Sequence, residues 1–279
     1  MNKKVVPAVL IALLILVTLF ANRGNRGFGT LLWEKVVSHN PETELFVEVL
    51  NDGSVIIGSQ NTGLHFYSAD GELLWSNPTI RVKDLVSDGE KITIASPEGI
   101  KQYDTNGNLL ATYGQNYAFV RVLSDGTVIG YRMDERKIKA FKDTLLWEVA
   151  ISAEQIETTG DVLVVSTGSS VRAYDKTGSL LWSVPYSNKI MCMSVSKNYI
   201  AVSVQSNPPY VDLLDLNGNS VKQWSISYTP IGSIGVTDYG DVCVVAGQKL
   251  IFLLKDLDSA VERLSLIHIS EPTRPLYIS

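Results

Sequence analysis

Along residues 80–113, apolar and polar positions alternate in four short runs separated by turn residues. "IRVKDLVS" turns at Asp88-Gly89 into "EKITIAS", then at "PEG" into "GIKQYD", then at "TNGN" into "LLATY". Period-two runs of β-branched and aromatic residues, bounded by Gly, Pro, Asn and Asp, predict four antiparallel strands in about 36 residues. The unit recurs along the chain. Asp52-Gly53, Asp88-Gly89 and Asp125-Gly126 mark its first turn, with degenerate versions at Thr159-Gly160, Lys197-Asn198 and Tyr239-Gly240. Such a turn needs positive φ, which glycine adopts without steric cost.

A second marker closes each unit: Leu31-Leu32-Trp33, Leu73-Leu74-Trp75, Leu145-Leu146-Trp147 and Leu180-Leu181-Trp182. Leu109-Leu110-Ala111 and a drifted Val221–Trp224 fill the other slots. All five tryptophans, Trp33, Trp75, Trp147, Trp182 and Trp224, are expected in one phase of the repeat, as structural residues on the outermost strand. In "YDKTGSLLW" (Tyr174–Trp182) the turn glycine supplies positive φ. The indole after it is expected to dock on the neighbouring sheet and hold a carbonyl with its N–H. No long amphipathic helix is legible between residues 31 and 263. Repeated four-stranded sheets bury both faces only by stacking, and radial closure protects their edges. The predicted fold class is therefore all-β, a β-propeller of four-stranded antiparallel blades with six repeats in residues 31–263.

The N-terminus adds a different element. Lys3 and Lys4 precede an uncharged apolar run, Val5–Ala21. As a helix at ~1.5 Å per residue this run reaches about 26 Å, enough to span a bilayer core when flanking basic residues snorkel. Residues 1–21 are expected to form an uncleaved signal anchor, a single transmembrane helix, with a cleaved signal peptide as the alternative. Residues 22–30 form a Gly-rich linker. Lys3, Lys4 and the terminal amine outweigh Arg23 and Arg26, which favours a propeller outside the cytoplasm. At the other end, "LSLIHISEPTR" (Leu264–Arg274) breaks the pattern and resembles the translation of a transposase-type sequencing adapter. Residues 264–279 are accordingly expected to be a non-native tail, and the native chain to continue into a seventh or eighth blade.

Composition narrows the chemistry. A formal net charge of -5 over 279 residues argues against nucleic acid as a partner. Cys192 and Cys243 are the only cysteines and form no CxxC pair, so two buried free thiols are expected. His39, His65 and His268 lack metal-ligand spacing, and His65 in "GLHFYS" is expected to be packed or half-exposed. "DTNGN" (Asp104–Asn108) and "DLNGN" (Asp215–Asn219) lack the carboxylates of a calcium loop and fit turn chemistry. "IGSIG" (Ile231–Gly235) misses nucleophile-elbow spacing, and neither a P-loop nor G-x-G-x-x-G occurs. No catalytic residue, cofactor site or metal ligand is expected.

Surface remains. The links between blades and the turns from second to third strand carry Asn61, Asn116, Tyr117, Arg132, Tyr186, Asn188, Asn207, Tyr210 and Tyr228. Such residues on a rigid scaffold are adaptable contacts and make up the candidate binding set.

The turn, its glycine and the terminal Leu-Trp resemble the tryptophan-docking repeat of the PQQ-like (quinoprotein-type) propeller superfamily, over roughly residues 31–263. That resemblance implies the fold and leaves function open, because the superfamily includes dehydrogenases, non-catalytic assembly lipoproteins and sensor domains. Its quinoprotein dehydrogenases carry adjacent cysteines and a calcium shell by the cofactor, and this chain has no vicinal cysteine pair. One anchor with one propeller also resembles membrane-anchored envelope proteins of Gram-positive bacteria. The expected function is a non-catalytic, membrane-anchored propeller that binds a partner protein or extracellular ligand at the cell envelope, as scaffold or sensor. The alternative is a quinone-dependent or hydrolytic enzyme that uses the propeller channel.

Overall fold

The computed structural model describes residues 44–227, 231–247 and 249–256, and the backbone of 261–265. The segment Val5–Ala21, Trp33, Tyr228 and residues 266–279 lie outside the described residues. Among the described residues no helix is long and apolar enough to cross a membrane.

Six four-stranded antiparallel sheets follow one another, each with its strands in chain order. The first holds β1 (Leu45–Val49), β2 (Val55–Ser59), β3 (Gly63–Tyr67) and β4 (Leu73–Asn77). The second holds β5 (Asp84–Ser87), β6 (Lys91–Ser96), β7 (Gly99–Asp104) and β8 (Leu109–Tyr113). The third holds β9 (Phe119–Val122), β10 (Val128–Arg132), β11 (Lys137–Phe141) and β12 (Leu145–Ala150). The fourth holds β13 (Gln155–Thr159), β14 (Val162–Ser166), β15 (Ser170–Tyr174) and β16 (Leu180–Pro185). The fifth holds β17 (Ile190–Val195), β18 (Tyr199–Val204), β19 (Tyr210–Asp215) and β20 (Ser220–Ser225). The sixth holds β21 (Ile231–Val236), β22 (Val242–Ala246), β23 (Lys249–Leu253) and β24 (Val261–Ser265). The described residues fall into two compact units. One runs up to Val122 and includes Gly130–Arg132; the other comprises Leu123–Ile129 and the chain from Met133 on.

The turns form as their residues dictate. Gly53, Gly89 and Gly126 close the first hairpin of their sheets at φ 85, 95 and 82°. In the outer turn of the second sheet, Asp104 accepts the Gly107 amide on its carbonyl. Its Oδ1 takes the amides of Asn106 and Asn108, and its Oδ2 takes Asn108 Nδ2 at 2.8 Å. Asp215 repeats the arrangement with Asn217 and Asn219. Both carboxylate oxygens thus accept donors of their own turn, the self-bonding that Asp and Asn bring to turns.

Within each unit the sheets stack face to face. In the first, Ile56, Leu64 and Phe66 of one sheet pack on Leu85, Ile92 and Tyr103 of the next. In the second, Val164 and Val171 meet Val202 and Leu214, and on the far side Val211 and Leu213 meet Val242 and Val244. Full burial of each such side chain stabilises by about 1.5–3 kcal/mol.

Indoles lock the stacks. Trp75 Nε1 donates to the Thr105 carbonyl at 2.9 Å, Trp147 Nε1 to Lys176 at 2.7 Å, and Trp182 Nε1 to Leu216 at 2.8 Å. Each acceptor is the second residue of the following sheet's outer turn. The glycine two residues on is the floor under the ring. A Cβ on Gly107, Gly178 or Gly218 would lie 2.9, 2.8 or 2.8 Å from the indole of Trp75, Trp147 or Trp182. These glycines therefore answer two demands at once, a positive φ and a flat aromatic neighbour.

Trp224 corrects the expectation of a single phase. Counting from the turn glycine, the docking position of the fifth sheet is Lys222, which pairs with Leu213 as Trp182 pairs with Ala173. Lys222 Nζ donates to the Lys255 carbonyl at 2.7 Å, doing what an indole does elsewhere. In the sequence no glycine follows Lys255, unlike the outer turns that receive an indole. Trp224 sits two residues on, opposite Val211, buried with Ile226 and Ile231 between the fifth and sixth sheets. Its indole N–H is buried and has no acceptor among the described residues. The leucines before each docking position stay about half-exposed, Leu180 at 55% and Leu181 at 51%.

Candidate functional site

Four of the candidate contact residues meet at one end of the fourth and fifth sheets. Tyr186 and Asn188 lie on the link between β16 and β17, Asn207 on the turn between β18 and β19, and Tyr210 opens β19. Backbone bonds knit these segments: Tyr186 N–H to Ser169 O at 2.8 Å, Ile190 N–H to Gly168 O at 2.7 Å, and Gln205 N–H to Lys189 O at 2.8 Å. Asn188 and Asn207 are exposed.

Tyr186 is not a free contact residue. Its hydroxyl donates to Asp212 Oδ2 at 2.9 Å, and Asp212 is 3% exposed in mid-strand. The second Asp212 oxygen accepts Ser220 Oγ. Burial, reinforced by Asp212, pushes the Tyr186 phenol far above its ordinary value, and burial raises Tyr210 in the same direction. The pair ties the link to the sheet it enters. An aspartate there satisfies two hydroxyl donors that an apolar seam would leave unpaired.

In the first unit, Asn61 is exposed on the turn between β2 and β3. Asn116 is exposed at φ 60°, donates its amide to Pro97 O at 3.0 Å and accepts Lys83 Nζ at 3.2 Å. Arg132 ends β10, half-buried. Tyr117 contradicts its expected surface role, being 1% exposed. Its ring fills the space left by two glycines: a Cβ on Gly130 would lie 2.6 Å from the ring, and one on Gly114 2.8 Å from the hydroxyl oxygen. Tyr117 is core.

Two polar features escaped sequence reading. Asp84, at the head of β5, accepts Val120 N–H at 2.8 Å, Arg121 Nη1 at 2.7 Å and Leu85 N–H at 3.0 Å. Burial pushes its carboxyl above the ordinary value, with Arg121 opposing the shift. The pair clasps two innermost strands one repeat apart, a spacing that would have pointed to it. The second feature is periodic. The third strand places a polar residue one position before the partner of the docking residue: His65, Lys101, Lys139, Arg172 and Asp212. Each pairs across to a polar residue of the outer strand, Ser76, Thr112, Glu148, Ser183 and Gln223. His65 Nε2 lies 2.7 Å from Thr62 O, and Lys139 Nζ 2.7 Å from Glu135 Oε2.

Among the described residues no group of His, Cys, Asp or Glu could hold a metal ion. Burial raises both thiols, and Cys192 Sγ lies 2.9 Å from Ser203 Oγ. Neither is poised as a thiolate at neutral pH.

No family model matches the chain, and no curated protein matches it. Among solved structures, BamB from Moraxella catarrhalis is similar, with a TM-score of 0.57 and 14% identity over 81% of this chain and 78% of that one. The fold is a β-propeller. As many as 1116 chains of solved structures match, so the architecture is widely shared and names no activity by itself.

Proposed function

We propose that the protein is a non-catalytic propeller of the PQQ-like type, anchored through Val5–Ala21, that holds a partner protein at the cell envelope. The indole-on-glycine repeat supports the superfamily, and the basic-then-apolar N-terminus supports an anchor with the propeller outside the cytoplasm. One observation carries the binding reading. At the joined end of the fourth and fifth sheets, uncharged exposed Asn188 and Asn207 stand on a framework in which the Tyr186 phenol and the buried Asp212 carboxylate are bonded to each other. Such an end offers shape and adaptable hydrogen bonds for recognition, while its acid and phenol serve the fold.

A photo-reactive phenylalanine at Asn188 or Asn207 of the full-length protein, illuminated in cells, tests this. The expected result is a discrete adduct at both positions and none at Asn217, on the opposite end of the same sheet. Equal labelling at all three positions, or none, contradicts the reading. For the anchor, deletion of residues 5–21 is expected to move the protein from the membrane to the soluble fraction. Soluble full-length protein would refute it.

A further inference from the structure

Of the charged residues at the periodic third-strand position, Arg172 is the one with a buried donor left unpaired among the described residues. Arg172 on β15 stands between Val165 of β14 and Ser183 of β16. It lies on the face opposite Val171, which packs toward the fifth sheet. The side chain is half-buried, and its Nε is buried with no hydrogen-bond partner among the described residues. Alternation along the four strands puts Ile156, Leu163, Val165, Tyr174 and Ser183 on the same face, and none of these carries negative charge. Two charged counterparts are answered, and a third, Lys101, leaves no buried donor unpaired. Lys139 is answered by Glu135, and Asp212 by Tyr186 and Ser220.

A guanidinium cannot shed its charge, and a buried N–H without an acceptor costs stability. Groups kept against stability are characteristic of binding sites. We propose that Arg172 is an anion-recognition residue that takes an oxyanion, the carboxylate of a partner's Asp or Glu, with exposed Ser183 alongside. The planar fork of arginine matches a carboxylate through two parallel N–H donors. The source of that carboxylate rests on the partner-binding reading; the anion site itself does not.

Thermal unfolding of the full-length protein in detergent, at constant ionic strength, tests the site with sodium glutamate, a hexaglutamate peptide and sodium phosphate against chloride. Wild type is expected to gain about 2–4 °C at saturating peptide. Arg172→Gln is expected to gain nothing, and Arg172→Lys less than half the wild-type shift. In chloride alone Arg172→Gln should unfold at the wild-type temperature or higher. A structural arginine predicts the reverse, so a lower Tm for Arg172→Gln in chloride overturns the proposal. Equal anion responses in wild type and Arg172→Gln also overturn it. A response to phosphate alone overturns the carboxylate assignment. Peptide acting more strongly than glutamate at equal carboxylate concentration supports a partner chain as the source. Loss of photo-adducts at Asn188 would leave these outcomes unchanged, because they read different residues.

Discussion

Gly126 and Gly218 share a backbone conformation and differ in what lies above them. Their φ angles are 82 and 81°. A Cβ on Gly126 would meet nothing within 4 Å, whereas one on Gly218 would lie 2.8 Å from Cδ2 and 2.9 Å from Cε3 of Trp182. Gly126→Ala therefore isolates the left-handed backbone penalty, about 1–2 kcal/mol. Gly218→Ala adds the overpacking of a rigid ring, about 1–3 kcal/mol, for a total of about 2–5 kcal/mol. Part of that addition is the bond from Trp182 Nε1 to Leu216 O, which a displaced ring must stretch. Trp182→Ala removes the ring, so in that background Gly218→Ala should fall back to about 1–2 kcal/mol. Urea unfolding of the four cycle members, with Gly126→Ala as reference, reads these values directly. Equal costs at the two glycines, or no relief in the Trp182→Ala background, would refute the indole floor.

Arg121→Ala leaves the Asp84 carboxylate buried without its cation and should cost about 3 kcal/mol at neutral pH. Asp84 already has a folded pKa above its unfolded one, so its ionisation costs stability as pH rises through the acid range. Removing Arg121 widens that window upward. The Tm gap between variant and wild type should be smallest near pH 4 and largest at pH 7; a pH-independent gap would contradict the clasp. Tyr186→Phe removes a hydroxyl bonded to a buried carboxylate and should cost about 1.5–3 kcal/mol. It should leave the ordinary phenolate titration at 295 nm unchanged, because the Tyr186 phenol titrates far above it. With both thiols raised by burial, a disulfide reagent should react slowly at pH 7 and reach half-buried Cys243 before buried Cys192. Fast reaction at Cys192, followed in the Cys243→Ser variant, would contradict the packing.

Local chemistry was legible because it repeats. The Asp-Gly hairpins, the outer-turn glycines and the four-strand unit each follow from a few adjacent residues whose backbone demands are specific. Trp224 was misread because the eye follows the aromatic, while the structure counts from the glycine: four residues after Gly218 is Lys222. Tyr117 was misread because "TYGQNYA" has loop composition. Its burial depends on Gly130, a strand residue whose missing side chain makes the room. The pairs Tyr186–Asp212 and Asp84–Arg121 join residues 26 and 37 apart, beyond any local pattern, and only the one-repeat spacing of Asp84 and Arg121 hints at its pair. The polar third-strand position was periodic all along, but it shows only once register is known.

The interlocking of sheets through indoles is tested most directly by a proton–nitrogen spectrum of the tryptophan side chains, assigned by single Trp→Phe replacements. The structure predicts downfield, slowly exchanging N–H signals for Trp75, Trp147 and Trp182, each donating to a carbonyl of the next sheet's turn. It predicts an upfield signal for Trp224, whose buried N–H has no acceptor among the described residues. Four indistinguishable signals, or fast exchange at the three docking indoles, would contradict the account.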